Sequence, residues 1–228
     1  RKSLDCHSEF TGAEVDLHST VVYRVETRRL ALRCWSPDDA RLVRAAIDRS
    51  DQHLRPWVPF MKDEPRSLKQ TGRWLRELRA AFDRSENFRF AVFDAEADVL
   101  VGENMLLSRV GPGALEIGYL THLGFEGHGY ASEASCVMVR LAFELYGASR
   151  LEVHHAQKNT ASAAIPTRLG FQHEATLKDR IVDTEGQLHD LVLWTMFASD
   201  YASSPARKLA GELDMVAFDE LGEVIRLA

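Results

Sequence analysis

One segment constrains the fold more than any other: Glu116-Ile-Gly-Tyr-Leu-Thr-His-Leu-Gly-Phe-Glu-Gly-His-Gly-Tyr-Ala-Ser-Glu-Ala134. Its first residues alternate like a strand, and Gly127-His128-Gly129 is a glycine turn opening a helix. Backbone N–H groups at such a helix start can hold a phosphate. Glu116 lies about a dozen residues upstream on the strand that leads into the turn. A phosphate cradle and an acid on one strand suggest group transfer from a phosphorylated carrier.

The rest of the chain must supply a sheet around that strand. Its 228 residues suffice for one ordinary domain and a tail. Apolar residues make up 45% and charged residues 27%, with a net charge of −6. No basic stripe points to nucleic acid, and no run of about 18 apolar residues would span a membrane. Arg1 to Thr20 lacks the apolar core of a signal peptide and reads as a poorly specified leader. Cys6, Cys34 and Cys136 are odd in number and form no C-x-x-C pair, which fits a reducing cytoplasm and no structural zinc. Cys136 falls on an apolar helix face, as a packing residue would.

Val21 to Arg33 alternates as one strand, with Arg28 and Arg29 on a solvated face. Ser36-Pro37-Asp38-Asp39 starts a helix that runs to about Ser50. Asp51 to Pro65 reads as a loop, and Ser67 to Arg84 as a second helix. Strands follow at 88–93, 99–107 and 114–121, then a helix from Tyr130 to Tyr146 stopped by Gly147. A strand (150–155), a short helix (159–169) ended by Gly170, and a hairpin (171–182 with 188–197) complete the domain over 21–200. Residues 201–228 form an extension holding a short helix and a second hairpin, whose apolar face needs cover from its own domain or from a second copy in a homodimer. This order predicts a mixed α/β sheet with helices on its faces.

Taken singly, the chemical signals are weak. A dinucleotide fold would place Gly or Ala at 132, where Ser132 stands, and a P-loop needs the absent Gly-Lys-Ser/Thr. Gly127-x-Gly129 is thus either a phosphate cradle or a plain turn. Asn159-x-x-Ser162 before Leu169-Gly170-Phe171 is, alone, a capped helix with a glycine stop. Glu116 is either a solvated strand acid or, if its face lines a cleft, a general base. His154, His155 and the His189-Asp190 pair read as strand residues in core or surface roles.

Together these pieces resemble the GNAT family of acyl-CoA-dependent N-acetyltransferases, in the subgroup that includes bacterial ribosomal-protein N-terminal acetyltransferases. The match runs through Arg24-Val-Glu-Thr-Arg-Arg-Leu-Ala-Leu-Arg33, Leu54-Arg-Pro-Trp-Val-Pro-Phe60, Glu116-Ile-Gly-Tyr119 with Gly127-His-Gly-Tyr-Ala131, Asn159-x-x-Ser162 with Leu169-Gly-Phe171, and Gly186-Gln-Leu-His-Asp-Leu-Val-Leu-Trp194. It covers roughly 22–198 and implies an α+β fold: a central mixed, mostly antiparallel sheet with helices on both faces. It implies acetyl-CoA as co-substrate and no metal. Backbone groups of Gly127, His128, Gly129, Tyr130 and Ala131 would hold the pyrophosphate. Tyr119, Leu120 and Thr121 would pair with the pantetheine arm. Asn159 and Ser162 would contact the coenzyme, with Ser162 protonating the leaving thiolate. Glu116 would accept the amine's proton, and Trp57 and Phe60 would wall the acceptor.

Three positions depart from the family pattern. Gly124 and Glu126 stand where basic or amide residues are usual, and Pro166 stands where many members carry a tyrosine acid. Pro166 also distorts a helix. An α-amine is about a tenth neutral near pH 7, whereas a lysine amine loses roughly 4–5 kcal/mol on the same scale. A site without the tyrosine acid therefore suits a protein or peptide N-terminus. The alternatives are a small-molecule amine acetyltransferase and a degenerate acyl-CoA-binding module.

Overall fold

The structure is a computed structural model describing residues 20–227. The expected leader lies outside these but for Thr20, as does Cys6. In chain order the elements are β1 (Arg24–Glu26), β2 (Leu30–Cys34), α1 (Ala40–Leu54), α2 (Leu68–Asp83), β3 (Asn87–Asp94), β4 (Val99–Leu107), β5 (Ala114–Thr121), α3 (Tyr130–Arg140), β6 (Arg150–Ala156), α4 (Thr160–Leu169), β7 (Gln172–Val182), β8 (Leu188–Phe197), α5 (Ala198–Tyr201), α6 (Pro205–Glu212), β9 (Val216–Phe218) and β10 (Val224–Ile225). The strands form one sheet ordered β10-β9-β1-β2-β3-β4-β5-β6-β8-β7. Every neighbouring pair is antiparallel except β5 with β6.

Side-chain alternation divides the core between the two faces of the sheet. From β3, Phe88, Phe90 and Val92 join Val137, Met138 and Leu141 on one side. Ala91 and Phe93 join Val43, Ile47, Leu54 and Leu75 of α1 and α2 on the other. Ser67 caps α2 by accepting from the Gln70 N–H, while Gln70 returns a bond to the Ser67 N–H at 2.8 Å. Such a capping box contributes about 1 kcal/mol.

Three segments differ from the sequence expectation. The strand expected over 21–33 is a hairpin, because Thr27 turns the chain: its N–H donates to Leu30 O at 2.8 Å and its Oγ1 accepts from the Leu30 N–H at 2.9 Å. Helix α1 continues to Leu54, whose side chain extends the buried stripe of Val43, Ile47 and Ser50, and residues 59–63 form a 3₁₀ turn. The helix expected over 130–146 opens into a π turn at Leu141–Leu145, closed by Tyr146 N–H to Leu141 O at 3.0 Å. The C-terminal segment covers its own domain: β9 extends the sheet beside β1, and Ala206 and Ala210 are buried against α3 and its neighbours.

Candidate active site

β5 and β6 build the site by parting company. They pair in parallel only at Ala114↔Arg150, Leu115↔Leu151 and Glu116↔Glu152. Beyond that point β5 keeps β4 as its partner on one side, through Gly102↔Thr121. The other edge of Tyr119, Leu120 and Thr121 faces a cleft of ≈ 390 Å³. An open strand edge offers backbone groups to an extended ligand.

The glycine turn closes the far end of that cleft. Gly124, Gly127 and Gly129 have φ of +92°, +77° and +81°. These are left-handed conformations that side chains with a Cβ resist. Gly129 is also the N-cap residue of α3. Successive N–H groups of the turn and the helix start therefore converge at the positive end of the helix. Arg29 braces the turn from behind: it forms an ion pair with Glu133 at 2.6 Å and donates to His128 O at 3.3 Å. Arg29 keeps the solvated position expected of it and also braces the turn, because the Thr27 turn aims it at α3.

α4 forms the opposite wall. Asn159 caps it, its Oδ1 accepting from the Ser162 N–H at 3.1 Å. Ala161, Ala164, Ile165 and Arg168 line the cleft at helical spacing, and the two alanines leave room for a ligand. Tyr119 reaches across from β5, with Oη 2.8 Å from Ser162 O and 3.0 Å from Ser162 Oγ. Burial raises the Tyr119 phenol well above its ordinary pKa.

Of the expected residues, Tyr119, Leu120, Thr121, Gly127, Gly129, Tyr130, Ala131, Asn159, Ser162 and Trp57 all line this cleft. His128 instead lines an adjoining cavity of ≈ 390 Å³ with Arg29, Arg168, Leu209 and Leu213. Phe60 meets Trp74 in a tilted pair with ring centroids 5.0 Å apart, and it packs, partly buried, against the cluster formed with α1 and α2. Glu116 is likewise not brought to the cleft. It sits at the closed base of the β5–β6 pair, where Arg109 donates to both its oxygens at 2.7 and 2.6 Å. His154 and Glu152 continue that cluster through a 2.7 Å contact.

The cleft also holds residues that the sequence reading did not assign to it. His53, in the last turn of α1, approaches Glu126 to 3.3 Å. Burial would raise the Glu126 carboxyl, but backbone N–H donors and His53 hold it below its ordinary value. One of those donors is the Gly124 N–H at 2.6 Å, so the acid occupies the start of the turn and leaves Gly127 to Ala131 free. Continuing the α1 stripe past Ser50 would have placed His53. Behind the cleft, burial lowers the His122 imidazole to about 4. Its Nδ1 lies 3.2 Å from Ser50 Oγ, which accepts from the Leu123 N–H.

Residues 29–172 match the family model described as the acetyltransferase (GNAT) domain. The chain is 27% identical over 178 residues to a putative ribosomal N-acetyltransferase of Bacillus subtilis, covering 75% of this chain and 93% of that one. It is 25% identical over 184 residues to the ribosomal protein uS5-alanine N-acetyltransferase of Escherichia coli, covering 78% and 92%. Mycobacterium smegmatis RimJ, solved in complex with CoA-disulfide, superposes with a TM-score of 0.70 at 22% identity, covering 84% and 95%.

Proposed function

This chain belongs to the GNAT family and is an acyl-CoA-dependent acetyltransferase, and from that premise we propose that it moves an acetyl group from acetyl-CoA to the α-amine of a protein or peptide N-terminus. The observation that carries this reading is the single cleft joining the open edge of β5 to the glycine turn at α3. The turn's free N–H groups, from Gly127 to Ala131, fit a pyrophosphate. The edge of Tyr119 to Thr121 fits an extended pantetheine arm. The adjoining cavity, with Arg29 and Arg168 on its walls, fits the nucleotide end.

Ser162 is the proton donor in this reading. The amine nitrogen attacks the thioester carbonyl, the C–S bond breaks, and Ser162 Oγ passes its proton to the departing sulfur. It regains one from the amine through water. Backbone N–H groups on β5 stabilise the charge on the carbonyl oxygen. Trp57, exposed by 42%, walls the acceptor side. Glu116 is bound by Arg109 of the β4–β5 loop at the base of the β5–β6 pair, away from the amine.

Two considerations support an α-amine. Relatives matching three quarters of the chain bear names of ribosomal-protein N-acetyltransferases. The neutral fraction of an α-amine near pH 7 is roughly 300-fold that of a lysine amine, so no strong base is demanded. Mass spectrometry of peptides incubated with acetyl-CoA tests the reading. A peptide with a free N-terminal alanine should gain one acetyl group, and an N-formylated peptide carrying lysine should gain none. Acetylation of the lysine peptide alone would overturn the assignment.

A further inference from the structure

Pro166 lies inside α4. In an α-helix the carbonyl of residue i accepts from the N–H of residue i+4, and proline has no N–H to give. The carbonyl left open by Pro166 is that of Ser162. Tyr119 fills the opening from β5, its hydroxyl donating to Ser162 O at 2.8 Å. The phenol has one proton, so once it is committed to the carbonyl, Oη can only accept from Ser162 O–H, 3.0 Å away.

We infer that Tyr119 is a positioning residue: by occupying the carbonyl that Pro166 opens, it ties α4 to the splayed end of β5 and fixes the Ser162 hydroxyl at the cleft, its proton resting on Tyr119 Oη until the departing sulfur draws it away. This inference rests on Ser162 as the proton donor. Pro166 and Tyr119 then form one device. A helix-breaking proline creates a docking point, and a tyrosine uses that point to orient its neighbour. Because burial keeps Tyr119 protonated, the arrangement persists throughout the pH range in which the amine is acetylated.

A four-variant comparison of turnover and melting temperature tests it. Ser162→Ala should lower kcat by about 10²-fold, the usual scale of a lost proton donor. Tyr119→Phe should lower kcat at least about tenfold with KM for acetyl-CoA little changed, and should lower Tm by a few degrees, since a carbonyl loses its partner. Pro166→Ala returns an N–H to that carbonyl. In the Pro166→Ala background Tyr119→Phe should therefore cost almost no Tm, yet kcat should still fall. Recovery of kcat together with Tm in the double variant would reduce Tyr119 to a structural prop and overturn the inference. So would wild-type kcat in Tyr119→Phe beside an impaired Ser162→Ala. Wild-type kcat in Ser162→Ala would instead overturn the proton-donor reading itself.

Discussion

Gly102 is where the geometry of the cleft can be challenged with one methyl group. A Cβ built there would lie 2.2 Å from Leu120 O and 3.3 Å from Thr121 Cα. Ordinary van der Waals contact begins at 3.4 Å, so β4 and β5 must separate by about 1 Å. The obstructing atom is backbone, not the end of a flexible chain, and it belongs to the strand segment that carries the open edge. Overpacking of this kind costs about 1–3 kcal/mol, or about 3–10 °C in Tm for a chain of this size. Displacing a substrate-positioning element by 1 Å lowers turnover by about 10²-fold. Gly102→Ala should therefore melt earlier and release free CoA thiol from acetyl-CoA and peptide about 10²-fold more slowly in a thiol-reagent assay. Gly118→Ala is the comparison, because its Cβ meets the Met105 side chain, at 2.8 Å from Cγ, and not backbone, so it should cost less than Gly102→Ala. A Gly102→Ala enzyme with wild-type Tm and turnover would refute the claim that the approach of Gly102 to Leu120 sets the edge.

Other perturbations test other parts. Glu103 is buried, chelated by Arg89 at 2.8 and 2.6 Å and bonded to Trp35 Nε1 at 2.7 Å; Arg89→Ala should cost about 3–5 kcal/mol in urea denaturation by stranding that charge. His122 has a folded pKa of about 4 because of burial, the Glu103 charge opposing it and His53 and Arg49 adding to it. The unfolded chain then binds the proton first, so stability is full above about pH 6.5 and falls as pH drops towards 4, by up to about 1.4 kcal/mol per unit. His122→Asn should flatten that slope in melts between pH 4 and 7. Gly170 ends α4 at φ +87°, and a Cβ there would lie 2.4 Å from Pro205 Cδ; Gly170→Ala should lower Tm by pushing α6 off α4. Deleting 205–228 should lower it further, because β1 loses β9 and Cys136 Sγ loses the Ala206 carbonyl at 3.3 Å.

The glycine turn, the strand before it and the capped helix after β6 were legible because each depends on local rules. Positive φ selects glycine, an N-cap selects Asn159, and a strand alternates. The places where two elements meet were not. The role of Arg29 required knowing that Thr27 folds β1 back on β2. The bond from Tyr119 to Ser162 required the spatial adjacency of β5 and α4, although the missing N–H of Pro166 was plain in the sequence. Glu116 carries the right chemistry for a base, but only the pairing register shows that it lies where β5 and β6 still touch, with Arg109 across both oxygens. Phe60 was misplaced for a similar reason: its packing against Trp74 of α2 depends on where two distant segments meet.

The central claim, that the cleft between β5 and α4 is an acyl-CoA site, is tested most directly by a thermal-shift titration with acetyl-CoA. At about 100 times the dissociation constant a specific ligand adds roughly 2.7 kcal/mol. For this chain that corresponds to a rise of about 5–10 °C, and the rise should be smaller in Gly102→Ala. A melting temperature that stays fixed up to millimolar acetyl-CoA would contradict the assignment.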